Sequence, residues 1–163
     1  MADAVALVPA AGIGRAAVEA VLTGELGCRH DGAGRVVRRH LDTFDRRLAR
    51  AGLVVEHERL DGRSWLRVRR TGTWTALAQA AVDTVPGAVE ALVDRRLRDL
   101  LAGPTAGRAL LAVSHCEGEL VRFAVTDERD KATVRLSLAF TTDRKSTRLN
   151  SSHVALSRMP SSA

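Results

Sequence analysis

The sharpest pattern of apolar and polar positions along the chain is LVVEHERL-DG-RSWLRVRR, residues 53–70. Two alternating runs flank Asp61-Gly62, the dipeptide favoured in two-residue type I′ hairpin turns. Such a turn sets Leu60 opposite Arg63, Glu58 opposite Trp65, Glu56 opposite Arg67 and Val54 opposite Arg69. Side chains alternate across a strand, so these pairs share one, mainly charged, face. His57 with Leu66 and Val55 with Val68 form the other, mainly apolar, face. Before the hairpin, Val5–Val8 reads as a short strand ended by Pro9, and Gly12 and Gly14 make a turn. Residues 15–26 carry an apolar stripe of Val18, Val21, Leu22 and Leu26 at helical spacing, with Gly27 as the stop. Residues 27–34 read as loop and 35–42 as a strand. Asp45 is placed to cap a short helix that stops at Gly52.

After the hairpin, a strand is expected near 73–77. From Thr84 the chain reads as a helix that ends at Gly103-Pro104, with Pro86 near its start. Val89, Leu92, Val93, Leu97 and Leu100 form its stripe, and Asp94–Arg98 and Arg95–Asp99 are spaced as ion pairs on the wet face. Three strands follow, 109–116, 119–126 and 132–140, the last two joined by the turn DERDK. Hairpins dominate this order, which predicts an α+β fold with a mainly antiparallel β barrel or curved sheet and flanking helices.

Composition narrows the picture. The 163 residues are 45% hydrophobic and 27% charged, which is ordinary for a globular chain, but aromatics make up 3% and tyrosine is absent. The core must therefore be aliphatic. The length suits one domain with a real core. The formal charge is +6. Half of it comes from Arg144, Lys145, Arg148 and Arg158 set against Asp143, so residues 1–142 are only mildly basic. No basic block with interleaved aromatics is present, and nucleic acid is not expected as a partner. Cys28 and Cys116 stand in no metal-ligand or redox spacing, which points to a reducing, cytoplasmic setting. No leader peptide is legible, and no run approaches the roughly 20 apolar residues of a membrane span.

The last stretch departs from this composition. DRKSTRLNSSH, 143–153, and SRMPSSA, 157–163, resemble the translation of a sequencing-library adapter, with Val154-Ala155-Leu156 where a variable index would fall. The expectation is an artefactual, unstructured tail over 143–163, on a domain spanning 1–142 whose natural sequence continues beyond it.

Chemistry is sparse. AVALVPAAGIGR resembles the glycine-rich opening of sugar-nucleotide and isoprenoid-pathway cytidylyltransferases, yet no lysine follows, and a plain strand–turn–helix connection accounts for it. His30, His40, His57, His115 and His153 have no metal spacing, and His57, on the apolar hairpin face, is expected to be packed. No Ser/His/Asp set is legible. Glu56 and Glu58 share a strand face and could hold a divalent cation, but Arg67 opposite Glu56 favours a cross-strand ion pair.

One stretch discriminates. His40-Leu41-Asp42-Thr43-Phe44-Asp45-Arg46-Arg47-Leu48, then Ala51-Gly52, then Trp65-Leu66-Arg67-Val68-Arg69 resembles the CYTH superfamily, the triphosphate tunnel proteins. The wording is most similar to the degenerate CYTH-like domains found N-terminal to CHAD domains in bacteria. The resemblance implies a closed antiparallel barrel whose lumen holds a triphosphate through Arg and Lys and a metal through Glu. It implies Arg67 and Arg69 as phosphate-binding residues. The family's Glu-x-Glu-x-Lys first strand is replaced here by AVALVPAA, which has no charge. No catalytic residue and no metal or other cofactor is therefore assigned.

The expected role is a non-catalytic accessory domain, C-terminally truncated, that binds polyphosphate or a triphosphate-type anion for a CHAD domain. One alternative is a divergent triphosphatase with Mg²⁺ or Mn²⁺ held by Glu56, Glu58 and further residues. Another is a structural module that packs on CHAD helices and binds nothing.

Overall fold

The computed structural model describes residues 4–7, 10, 12–129, 131–143 and 153–158, with backbone alone for 4–7, 142–143 and 153–158. Strands β1 (Ala4–Leu7), β2 (Arg29–Asp42), β3 (Leu53–Leu60), β4 (Arg63–Arg70), β5 (Ala76–Ala81), β6 (Leu111–Thr126), β7 (Ala132–Asp143) and β8 (His153–Arg158) are joined by helices α1 (Arg15–Ala20), α2 (Arg47–Arg50) and α3 (Arg95–Thr105). The hydrogen-bonded order is β1-β8-β7-β6-β2-β3-β4-β5. The β1–β8, β7–β8, β3–β4 and β4–β5 pairs are all antiparallel. The fold is the expected α+β class. Of residues 143–163, Asp143 ends β7 and 153–158 form β8, and the rest lie outside the described residues, as do residues 8, 9 and 11 at the glycine turn.

The chain divides into two compact units. One comprises 1–36, 118–142 and 146–163, the other 37–117 and 143–145. In the first, α1 runs into a π-helical turn, Val21–Glu25, over the range the apolar stripe marked as helix. Leu22, Cys28, Val121, Phe123, Leu136 and Leu138 form its buried cluster.

Two glycines misled the sequence reading here. Residues 29–34, expected as loop, are strand. Gly32, at φ +116°, lies where an added Cβ would be 3.2 Å from the Arg122 guanidinium. Glu117-Gly118, expected to separate two strands, sits inside the single 16-residue strand β6. A Cβ on Gly118 would fall 1.7 Å from the Phe140 carbonyl oxygen, so the glycine admits the neighbouring backbone and makes no turn.

In the second unit the hairpin register is the one the Asp-Gly turn dictated, from Leu53↔Arg70 to Leu60↔Arg63. Asp61 and Gly62 have φ of 49° and 81°, the positive pair that a type I′ turn requires. The apolar hairpin face carries the core: Val55, Leu66 and Val68 pack with Leu41, Leu48, Ala78, Leu97 and Leu101. His57 is half-buried on this face. Burial, then the nearby charges of Arg39 and Arg59, push its pKa down, so a packed neutral ring fits the site.

Helix α2 is capped differently from expectation. The buried Asp42 carboxylate accepts from Leu48 N at 2.9 Å and Ala49 N at 3.3 Å, and Thr43 Oγ1 accepts from Arg47 N at 2.9 Å. Asp45 instead accepts from Thr43 Oγ1 and Arg47 Nε, with Arg108 Nε 3.2 Å away. The Arg47 hydrogen bond, against some burial, and then the Thr43 hydrogen bond and the Arg108 charge hold the Asp45 carboxyl at about 2.

The helix expected from Thr84 begins only at Arg95. The chain before it runs through bends and a 3-10 turn at Val89–Ala91, and Pro86 disfavours the helical conformation at Val85. Asp94 then caps α3 by accepting from Leu97 N at 2.8 Å. This use of Asp94 displaces the expected pair with Arg98, which donates to the Leu92 and Val93 carbonyls. Arg95–Asp99 does form, at 3.5 Å. Val89, Leu92 and Leu97 are buried as the stripe required, but Val93 is 94% exposed, because the stripe spans two separate turns and not one helix.

Candidate functional site

The charged face of the hairpin gathers the chemistry of the second unit. Glu56 and Glu58 come from β3, and Trp65, Arg67 and Arg69 from β4, each two residues from the next and so on one face. The strand order sets β2 beside β3 and β6 beside β2. Arg38 and His40 of β2 and Ser114 of β6 join the same group through their hydrogen bonds.

Glu56 and Arg67 are direct register partners, as expected. Their side chains do not pair, which corrects the expected cross-strand ion pair. Glu56 Oε1 accepts from the diagonal neighbour Arg69 Nη2 at 2.9 Å and from His40 Nε2 at 3.2 Å. Diagonal positions lie within reach of long side chains, and here they win because β2 supplies a second donor to the same carboxylate oxygen. Arg67 turns the other way and donates from Nε to Gln79 Oε1 at 2.9 Å. Glu58 Oε2 takes Arg38, at 2.5 Å from Nη2 and 3.0 Å from Nε.

These contacts are largely removed from water. The side chains of Glu56, Arg69 and Arg38 are 4%, 11% and 14% exposed. Burial pushes the Glu56 carboxyl up, but the His40 and Arg69 hydrogen bonds and the Arg69 and Arg38 charges outweigh it and hold the group at about 2. Burial likewise opposes the Arg38 charge, and the Glu58 charge and hydrogen bond reverse that and raise its pKa.

Arg69 is fixed on three sides. Besides Glu56, it donates from Nη1 to the Thr73 carbonyl at 3.0 Å, and its guanidinium carbon lies 4.7 Å from the centroid of Trp74. Arg67 has no carboxylate partner among the described residues. The two residues named from the sequence thus share the face but differ: Arg69 is a largely buried, ion-paired cation and Arg67 an accessible one.

Arg38, His40 and Ser114 were missed by sequence reading. Arg38 and His40 are two apart, which is a same-face signal, but the identity of the strand beside them is non-local and was not legible. Ser114 comes from 74 residues beyond His40, with its hydroxyl 2.7 Å from His40 Nδ1. The proton positions follow from the partners. An ionised Glu56 only accepts, so a neutral His40 carries its hydrogen on Nε2, and Nδ1 accepts from the Ser114 hydroxyl.

The donor set does not fit the Mg²⁺ or Mn²⁺ of the triphosphate tunnel proteins. β1 is Ala-Val-Ala-Leu, Glu56 and Glu58 are each engaged by an arginine, and no group of three metal-ligating side chains occurs among the described residues. No described helix is long and apolar enough to cross a membrane.

No protein-family model matches the sequence, and no curated protein matches it either. Solved structures do. A Bacillus halodurans protein described as an adenylate cyclase superposes with a TM-score of 0.64 at 8% identity, over 98% of this chain and 81% of that one. A Hippeastrum protein described as an adenylyl cyclase with a dominant triphosphatase activity gives 0.65 at 12% identity, over 98% and 80%. A Vibrio parahaemolyticus protein, also described as an adenylate cyclase, gives 0.56 at 11% identity, over 98% and 78%. At these identities the likeness is one of fold: the chain has the fold of these adenylate cyclase and triphosphatase structures.

Proposed function

We propose that the chain is a CYTH-like phosphate-binding domain that does not hydrolyse triphosphates with a metal, and that it positions polyphosphate or a triphosphate-type anion for a CHAD-type partner domain. The observation that carries this reading is the pairing of Glu56 with Arg69 and of Glu58 with Arg38. A carboxylate held this way is not available to a divalent cation, and metal-assisted phosphoryl transfer depends on that cation to neutralise the charge of the transferring group. The face still carries three arginines against two glutamates. Arg67 offers its guanidinium without first breaking an ion pair, and a guanidinium can grip two phosphate oxygens at once. Arg69 adds charge from its place beside Glu56. The shared fold with a triphosphatase supports the ligand class.

Isothermal titration of the full chain with tripolyphosphate in EDTA tests the binding. Arg67→Ala is expected to weaken it about tenfold, as loss of a charge-assisted hydrogen bond would. Affinity unchanged by Arg67→Ala would overturn the assignment. A second reading, a divergent triphosphatase, draws on the activity of the Hippeastrum protein. Release of phosphate from tripolyphosphate that requires Mg²⁺ or Mn²⁺ would establish it and remove the non-hydrolytic part of the proposal.

A further inference from the structure

Ser114, His40 and Glu56 lie in a line across three neighbouring strands. Ser114 Oγ is 2.7 Å from His40 Nδ1, and His40 Nε2 is 3.2 Å from Glu56 Oε1. Each contact has the polarity a hydrolytic triad needs: a hydroxyl facing the basic nitrogen of an imidazole, and an ionised carboxylate behind the other nitrogen. Such sets are recognised by geometry and role, and they recur on unrelated folds with either Asp or Glu as the third member. The ring is turned over relative to the commoner arrangement, with Nδ1 toward the serine, and either imidazole nitrogen can act as base.

We propose that Ser114 is the nucleophile of a site that hydrolyses small carboxylic esters, with His40 as its general base and Glu56 as the positioning residue for His40. Three further observations support it. The carboxylate is the covered member: the Glu56 side chain is 4% exposed, whereas His40 is 33% exposed and Ser114 is half-buried, so the serine and imidazole are open to substrate. Arg69 holds Glu56 from a second side, which fixes the carboxylate on which the imidazole is oriented. The surroundings are charged, with Arg38 and Glu58 paired beside the triad, so a short polar acyl group suits the site and a fatty chain does not.

The chemistry balances without metal or cofactor. The Ser114 oxygen attacks the ester carbonyl carbon as its proton passes to His40 Nδ1. The carbon–oxygen bond to the alkoxy group then breaks, and that group leaves as the alcohol with the proton from His40. Water, giving a proton to His40, attacks the acyl-serine, and the acid leaves as Ser114 regains its hydrogen.

The test is independent of phosphate binding. The full chain is treated with a fluorophosphonate probe and mapped by peptide mass, and p-nitrophenyl acetate hydrolysis is followed alongside p-nitrophenyl octanoate. The expected result is a single label on Ser114, faster turnover of the acetate, and a loss of roughly 100-fold or more in both readouts in Ser114→Ala and His40→Gln. Glu56→Gln should lower kcat with little change in KM, a split that a merely structural role would not produce. Folded variants are confirmed by circular dichroism. Failure of the folded parent to label above its heat-denatured control would overturn the proposal, as would labelling of Ser114 that His40→Gln leaves unchanged.

Discussion

The Glu56–Arg69 pair, in the unit built on residues 37–117, and the Arg15 pairs, in the unit that contains β7, hold charge in different ways. In the first, β3 and β4 bury Val55, Leu66 and Val68 on one side and the Glu56–Arg69 pair on the other, with Arg67 left accessible on that second side. In the second, the described buried cluster is apolar, and the ion pairs of Arg15 with Glu19 and Glu119 stay at the surface, with side chains 31% to 43% exposed. A surface pair is solvated whether or not it forms. A buried pair has lost its water, so each member depends on the other. The contrast is one of dependence: Glu56 and Arg69 rely on each other, whereas water can replace either partner of the Arg15 pairs.

The most direct way to break the contrast is Arg69→Ala. It leaves the Glu56 carboxylate buried with His40 as its remaining donor, and removing one partner of a buried pair typically destabilises by about 3–5 kcal/mol. Urea unfolding should show that loss. Arg69→Ala combined with Glu56→Ala should recover part of it, because no orphan charge remains. If the double variant is no better than the single one, packing against Trp74 is what Arg69 supplies.

Acid sharpens the same point. The folded Glu56 pKa is lowered from 4.5 to about 2, so the stability it contributes is present in full above pH 4.5 and is lost as pH falls toward 2. The shift corresponds to roughly 3 kcal/mol. Glu56→Gln should flatten the acid limb of a stability–pH curve between those values. An unchanged acid limb would place the carboxylate in water.

The β7-containing unit has its own weak point at Gly118. A methyl group there would meet the Phe140 carbonyl oxygen at 1.7 Å, and backbone cannot swing aside as a side chain can. Gly118→Ala should cost about 1–3 kcal/mol, the range for forcing extra volume into a packed site. Gly103→Ala, where nothing lies within 4 Å of the added carbon, is the control and should not destabilise.

How far the sequence could be read depended on whether a feature was local. The hairpin register was legible in full, because Asp61-Gly62 sets it and alternation assigns the faces. The charged face was legible as a face. Its pairings were not, because Glu56 chooses between Arg67 and Arg69 only once His40 arrives from β2. Ser114 was invisible for the same reason, as nothing near it in the chain names His40 as its neighbour. The glycine errors have a different cause. Gly32 and Gly118 read as breaks because a glycine that makes a turn and one that admits a neighbouring backbone look alike until that neighbour is in place. The cap of α2 was legible as a cap but not in its members: the sequence marks Asp45, and in the structure Asp42 and Thr43 accept from the helix amides.

The smallest effect expected is at Glu119. Its carboxylate accepts from Arg15 Nη1 at 2.6 Å, and that hydrogen bond, against slight burial, lowers its pKa. Both side chains are 43% exposed, so water replaces either partner at little cost. Arg15 also keeps Glu19 at 2.8 Å and the ring of Phe140, 5.0 Å from its guanidinium carbon. Glu119→Gln should therefore leave the urea midpoint within error of the parent chain. A clear loss in that variant, matching the loss in Arg69→Ala, would mean that the β7-containing unit also depends on desolvated charge, and the distinction between the two units would fall.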